Sequence, residues 1–209
     1  MKKIVVIDFE TYMNTKNKYS LRRMSDIQYI CDPRFQVISI AILVDNKVTV
    51  YPGNSTVWLP LLKAYDRLGY RIIAHNARFD LRILALRFGF IPKSVSDTML
   101  IARYLGFPEC SLKILASQLL NDQKLELGTD GLRLETLTPK MWNELCVYNI
   151  RDVELTLQLW DLFLPLIPVD ELTLINQTLQ LCFKSHTIDW LKWSTSGKEL
   201  RSAIDRLEF

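Results

Sequence analysis

Hydrophobic residues along the chain fall into short runs separated by polar turns, and the period of each run predicts an element. Residues 3–9 form a nearly continuous run rich in Val and Ile, the pattern of a strand buried on both faces. Residues 35–44 are again apolar and β-branched, Asp45-Asn46 supplies a turn, and residues 47–51 alternate, so these segments read as a hairpin. Helical spacing over residues 58–68 stops at Gly69. A second buried strand at residues 70–74 leads directly into a helix over residues 76–88 that ends at Gly89. A brief strand at residues 94–97 precedes a helix over 98–105, and Ser111 caps another that runs to Leu120. Residues 121–135 are polar and hold Gly128 and Gly131, which predicts a loop over one face. Thr138-Pro139 opens a long helix to about residue 164, since proline suits a first helical turn. Helices over residues 170–184 and from Ser196 complete the chain, Ser196 and Glu199 having capping-box spacing.

Three strands, a helix, a strand and then mostly helices predict an α/β fold with a mixed sheet, not strict βαβ alternation. A length of 209 residues suits one domain with a small appendage. No apolar run reaches the ~18 residues of a membrane span. Met1-Lys2-Lys3 ahead of Ile4 imitates a signal peptide, but Asp8 and Glu10 interrupt the apolar stretch, which reads as a first strand. Cys31, Cys110, Cys146 and Cys182 lie far apart with no CxxC pair. That spacing excludes the usual zinc motifs and a disulfide framework, and points to free thiols in a reducing cytoplasm. A net charge of +3 permits a nucleic-acid partner without pointing to one, so the case rests on the motifs.

Carboxylates supply the candidate chemistry. Asp8 and Glu10, two apart on a strand, project from the same face, with Phe9 pointing to the other. Two adjacent acids at the end of a buried strand repel each other unless a cation or donor compensates. His75-Asn76-Ala77-Arg78-Phe79-Asp80 sits where the second strand meets its helix, a common place for functional groups in α/β folds. The plain structural reading is that Asn76 caps that helix, Asp80 is a solvated acid near the dipole, and His75 is a core or supporting histidine. Tyr148 and Asp152 share a helix face at i and i+4. Asp97, at the end of the brief strand, reads as a supporting or capping residue of the Asp97-Thr98 helix start. Each signal alone is weak. Together Asp8, Glu10, Asp80 and Asp152 offer four carboxylates from two strand ends and two helices. That set suits two hard cations, Mg²⁺ or Mn²⁺, ~3.5–4 Å apart, and does not suit zinc.

The ordered set resembles the DnaQ-like (DEDD) 3′→5′ exonucleases. Asp8-x-Glu10 matches the first motif, Asn76-x-x-Phe79-Asp80 the second and Tyr148-x-x-x-Asp152 the third, the tyrosine marking the DEDDy subgroup. Asp8-Phe9-Glu10-Thr11-Tyr12, Tyr19-Ser20-Leu21 and Asp32-Pro33-Arg34-Phe35-Gln36-Val37-Ile38 read like the opening of exonuclease domains in phage-type family A DNA polymerases. The resemblance covers residues 4–165 well and the remainder loosely. It implies an RNase H-like fold with a mixed sheet of about five strands, an exonuclease domain at residues 1–165 and a helical extension at 166–209.

It further implies two divalent cations, Mg²⁺ or Mn²⁺, held by Asp8, Glu10, Asp80 and Asp152. Tyr148, whose unperturbed pKa near ~10 makes it a poor base, is assigned to orient the attacking nucleophile. Thr11, Asn76 and Phe79 are the expected substrate-binding residues. The expected substrate is a single-stranded DNA 3′ end, cut to nucleoside 5′-monophosphates in a cytoplasmic, proofreading setting. Phe9, Tyr12, Leu21 and Phe79 are candidates to wedge or stack against bases, with burial favoured for Phe9 and Phe79. The expected partner is a DNA polymerase, separate or fused; Trp190, Leu191 and Trp193 are candidates for an apolar docking contact on the C-terminal helices, with burial in the domain itself the more common fate. Alternatives are an RNase D-like exoribonuclease and a non-catalytic binding module.

Overall fold

The computed structural model describes residues 3–125 and 127–184. Strand β1 (Ile4–Thr11) forms where Val5, Val6 and Ile7 are fully buried. The polar stretch that follows contains a helix the hydrophobic pattern does not announce, α1 (Asp26–Cys31). Its start is set by a capping box: Ser25 Oγ accepts from Gln28 N–H, and Gln28 Oε1 accepts from Ser25 N–H. Strands β2 (Val37–Val44) and β3 (Lys47–Pro52) form the expected hairpin. Asp45 and Asn46 both take positive φ (48° and 61°), which two-residue hairpin turns require.

Then come α2 (Trp58–Arg67), β4 (Arg71–Ala74), α3 (Ala77–Phe88), β5 (Val95–Asp97), α4 (Thr98–Tyr104) and α5 (Leu112–Leu119). Residues 120–133 are a largely irregular loop, and a 3-10 turn at Leu134–Thr136 leads to α6 (Pro139–Phe163). A second 3-10 turn, Leu164–Leu166, precedes α7 (Val169–Lys184). The helix expected from Ser196, and the apolar Trp190, Leu191 and Trp193, lie outside the described residues. Among those described, no helix is long and apolar enough to cross a membrane.

The sheet order is β3-β2-β1-β4-β5. Pairs β1–β2 and β2–β3 are antiparallel, and β1–β4 and β4–β5 parallel, giving the mixed α/β sheet the pattern predicts. Helix α6 lies on β1 and β2 through a stripe at Leu145, Asn149, Asp152, Thr156, Leu159 and Phe163, at three- and four-residue steps. Cross-strand neighbours share a face, so Ser39 sits beside Glu10, and Ala41 beside Asp8. These two small side chains, set among Ile, Leu and Val, give α6 room over the carboxylates. At the far edge of the sheet, α7 packs on β5 and α3 through Leu172, Ile175 and Leu179. Asn176 Oδ1 there accepts from Val95 N–H at 2.9 Å, and Gln180 donates to the Pro92 carbonyl.

Candidate active site

The parallel strands β1, β4 and β5 carry their C-terminal ends toward one region, the usual place for a site in an open α/β sheet. Asp8 and Glu10 leave β1 there, on the opposite face from Phe9, which is buried edge-on against Trp58 at 5.6 Å between ring centres. Asp152 comes from α6. One carboxylate oxygen from each of Asp8, Glu10 and Asp152 lies within 4.8 Å of the others. Asp80, a turn into α3 and buried, reaches β1 instead, its Oδ1 accepting from Phe9 N–H at 3.2 Å. It therefore ties α3 to the backbone between the two acids of the first motif. The plain reading of Asp80 as a solvated acid does not hold.

Burial and mutual repulsion raise these acids. Asp8 is pushed up to about 7 by burial and then by Asp152. Burial, then Asp8, raises Glu10 and Asp80 well above the ordinary carboxylate range. Opposing this is Lys124, from the loop between α5 and α6. Its Nζ pairs with Asp152 Oδ2 and lies 5.0 Å from the centre of the Tyr148 ring. The loop is fastened on both sides, by Asp122 to Arg151 and by Asp130 to Thr15 at 2.9 and 2.6 Å. The sequence reading recognised the loop and missed the lysine. A signal existed: acids that converge in a buried site require a counter-charge from elsewhere.

Tyr148 is half-buried one turn before Asp152, and burial, with Glu10 and Asp152 next, raises its pKa. The phenol stays protonated at neutral pH and is able to donate a hydrogen bond. Asn149, fully buried, was also missed. Its Nδ2 donates to Asp8 Oδ2 at 2.6 Å and to the Asp8 carbonyl at 3.3 Å.

The remaining candidates are placed as follows. Asn76 stands exposed in left-handed conformation (φ 62°) ahead of α3, and its side chain makes no capping bond, contrary to the plain reading. Its N–H donates to Asp97 Oδ1 at 3.0 Å, and that carboxylate also caps α4 through Met99 N–H at 2.8 Å. Thr11 Oγ1 shares a hydrogen bond with the Tyr29 hydroxyl at 3.0 Å. Phe79 is half-buried, 6.1 Å from the Tyr29 ring. Tyr12 is buried and stacked on Tyr19, with the Arg133 guanidinium 3.9 Å from its ring centre, so it is a packing residue. Leu21 is exposed. His75 spends both ring nitrogens, on Thr98 Oγ1 at 2.8 Å and the Cys110 carbonyl at 2.9 Å, and burial lowers its pKa to about 4. It is a neutral supporting residue.

The donor set fits a hard divalent cation. It is all oxygen, and Asp152 Oδ1 is buried without a hydrogen-bond partner among the described residues, an acceptor that a cation would satisfy. A consequence follows for pH. Asp8 titrates near 3.8 unfolded and about 7 folded, so its favourable contribution is complete below pH 3.8 and is lost as pH rises through 7. Cations bind the deprotonated acids. The rise in melting temperature on adding Mn²⁺, relative to EDTA, will therefore grow from pH 5 to pH 8 in differential scanning fluorimetry. A flat or falling difference would contradict the placement of a cation here.

A family model, DNA_pol_A_exo1, described as 3'-5' exonuclease, matches residues 8–168. No curated protein matches the sequence. Among solved structures, Brucella melitensis NrnC bound to pGG is similar with a TM-score of 0.63 at 19% identity, covering 92% of this chain and 87% of that one. NrnC is also known with bound Mg²⁺. The catalytic core of RRP6 from Trypanosoma brucei gives 0.63 at 18% identity, covering 87% of this chain and 46% of that one. Escherichia coli RNase D, described as an exoribonuclease involved in structured RNA processing, gives 0.57 at 19% identity, with 85% and 45% covered. These likenesses show the RNase H-like exonuclease fold. With the match beginning at Asp8 and running through Asp80, Tyr148 and Asp152, the chain belongs to the DNA_pol_A_exo1 family of 3'-5' exonucleases.

Proposed function

We propose that this exonuclease removes nucleotides one at a time from the 3′ end of single-stranded DNA, releasing nucleoside 5′-monophosphates, in the service of a phage-type DNA polymerase. The observation that carries the hydrolytic reading is the convergence of Asp8, Glu10 and Asp152 within 4.8 Å beside a protonated phenol. When bound, two divalent cations, Mg²⁺ or Mn²⁺, supply water activation and charge stabilisation for in-line displacement at phosphorus. The chain's own residues do the rest. Asp8, Glu10 and Asp152 hold the cations, and Asp80 keeps the β1 backbone between the first two acids in place. Tyr148 donates a hydrogen bond that orients the attacking oxygen, and Lys124 holds Asp152 at Oδ2. Thr11, Asn76 and Phe79 bind the terminal nucleotide, of which exposed Asn76 is the most accessible.

Support for DNA comes from the run Asp8-Phe9-Glu10-Thr11-Tyr12 and the segment from Asp32 to Ile38, which read like phage-type polymerase exonucleases. The second reading, an RNA-trimming enzyme, draws on the similarity to RNase D, described as an exoribonuclease. Discrimination would rest on a contact to the 2′-hydroxyl. The test is a 5′-labelled single-stranded DNA and its RNA counterpart, each incubated with the protein and Mg²⁺, Mn²⁺ or EDTA. A DNA ladder shortening from the 3′ end, absent with EDTA and at least tenfold faster than on RNA, is expected. Faster shortening of RNA would replace the DNA reading with the second one. Inactivity of folded protein on both would remove the hydrolytic reading.

A further inference from the structure

The side chain of Asn149 is turned by one partner and spent entirely on another. Ser39 Oγ on β2 donates to Asn149 Oδ1 at 2.9 Å, and Asn149 Nδ2 donates to Asp8 Oδ2 at 2.6 Å. The second proton of the same amide lies toward the Asp8 carbonyl at 3.3 Å. Ser39 and Asn149 are both fully buried, so water does not compete for these bonds. The amide has one orientation that satisfies both contacts: reversed, its oxygen would face the Asp8 carbonyl, acceptor against acceptor. A single NH₂ group thus links the Asp8 carboxylate to the Asp8 backbone and fixes the side-chain torsions between them.

We propose that Ser39 and Asn149 form a positioning relay that fixes the Asp8 carboxylate for a divalent cation, with Asn149 Nδ2 holding Oδ2 and leaving Oδ1 free of that donor. The proposal rests on the reading of Asp8 as a cation ligand. Neither residue touches the reacting atoms. Ser39 acts through Asn149, and Asn149 through Asp8. The placement follows from the fold: Ser39 is the cross-strand neighbour of Glu10, and Asn149 lies three residues before Asp152 on the buried stripe of α6. One polar residue on each of β1, β2 and α6 therefore meets at the first acid of the first motif. A hydrogen bond that orients a ligand typically changes metal affinity by 10–100-fold when removed.

The test is an electron paramagnetic resonance titration of Mn²⁺ into the full chain without nucleic acid, on wild type, Asn149→Leu, Ser39→Ala and the double variant. Leucine keeps the volume of Asn149 and removes its donors. Expected are a rise in Mn²⁺ Kd of about tenfold or more for Asn149→Leu, on the order of threefold for Ser39→Ala, and a double variant no weaker than Asn149→Leu alone. Additive losses would overturn the relay, because Ser39 would then act independently of Asn149. Wild-type affinity in folded Asn149→Leu would overturn it too. Should that variant not fold, Ser39→Ala decides alone, and an unchanged Kd overturns the proposal. Wild-type protein that binds no Mn²⁺ would instead remove the underlying cation reading, and the two failures are thereby separated.

Discussion

Asp8→Asn will abolish nucleotide release while leaving the fold intact and, without metal at pH 8, at least as heat-stable as wild type. The two halves of that expectation come from one cause. Asp8 is recessed between Asp152, Glu10 and Asp80, and its pKa of about 7 records how poorly the metal-free protein tolerates its charge. Removing the charge relieves repulsion in the folded state, and the amide oxygen of an asparagine can still accept from Asn149. The same removal takes away a ligand of the proposed cations, whose stabilisation of charge at phosphorus is worth several kcal/mol. At 1.36 kcal/mol per tenfold, the loss in kcat is about 10³-fold or more. Quantified ladder formation together with melting curves in EDTA and in Mn²⁺ checks all of this. Turnover within tenfold of wild type would sink the assignment, and a much lower melting temperature would reassign the loss to unfolding.

Gly53→Ala will destabilise the fold through a clash with backbone. Gly53 closes the β2–β3 pairing, its N–H donating to the Ile38 carbonyl at 2.8 Å. A Cβ at this position would stand 1.9 Å from the Val37 carbonyl oxygen and 2.5 Å from its carbon. Both are backbone atoms, so no side chain can swing aside, and the start of β2 must move. Overpacking costs roughly 1–3 kcal/mol where side chains yield, and a backbone clash belongs at or above the upper end. For a chain of this size that corresponds to a fall in melting temperature of roughly 6–12 °C, read by circular dichroism. A variant melting within 2 °C of wild type would show that the strand end shifts at little expense. Ser39 pairs with Pro52, next to this clash, so disturbance there also reaches the relay that holds Asp8.

Most of the architecture was legible because it rests on local periodicity. Each of the five strands lies within two or three residues of its expected position, and the long helix begins at Thr138-Pro139 as read, since caps and β-branched runs act over short distances. Helix α1 escaped because six residues carry too little periodic signal, although Ser25 and Gln28 hold the spacing of its capping box. The acids were visible as motifs. The groups that make them tolerable were not: Lys124 and Asn149 reach the cluster across sequence separations of 28 and 141 residues. Nothing local marks such a partner. Ser39 lies inside an apolar strand, and Asn149 at an unassigned position of the third motif. Asn76 was read as a cap from its position alone, yet its side chain makes no capping bond and its N–H donates to Asp97, the N-cap of α4.

Strand β5 ends the sheet, and an open edge of that kind is an invitation to pair with another chain. Here the invitation is withdrawn by side chains rather than by a further strand: Asn176 takes the Val95 N–H, and Gln180 takes the Pro92 carbonyl. Both belong to α7, which lies past the last residue of the family match. The open edge of the matched stretch is thus covered by a helix that lies outside it. It also means that cutting the chain at the family boundary would liberate a sticky sheet margin together with the nuclease.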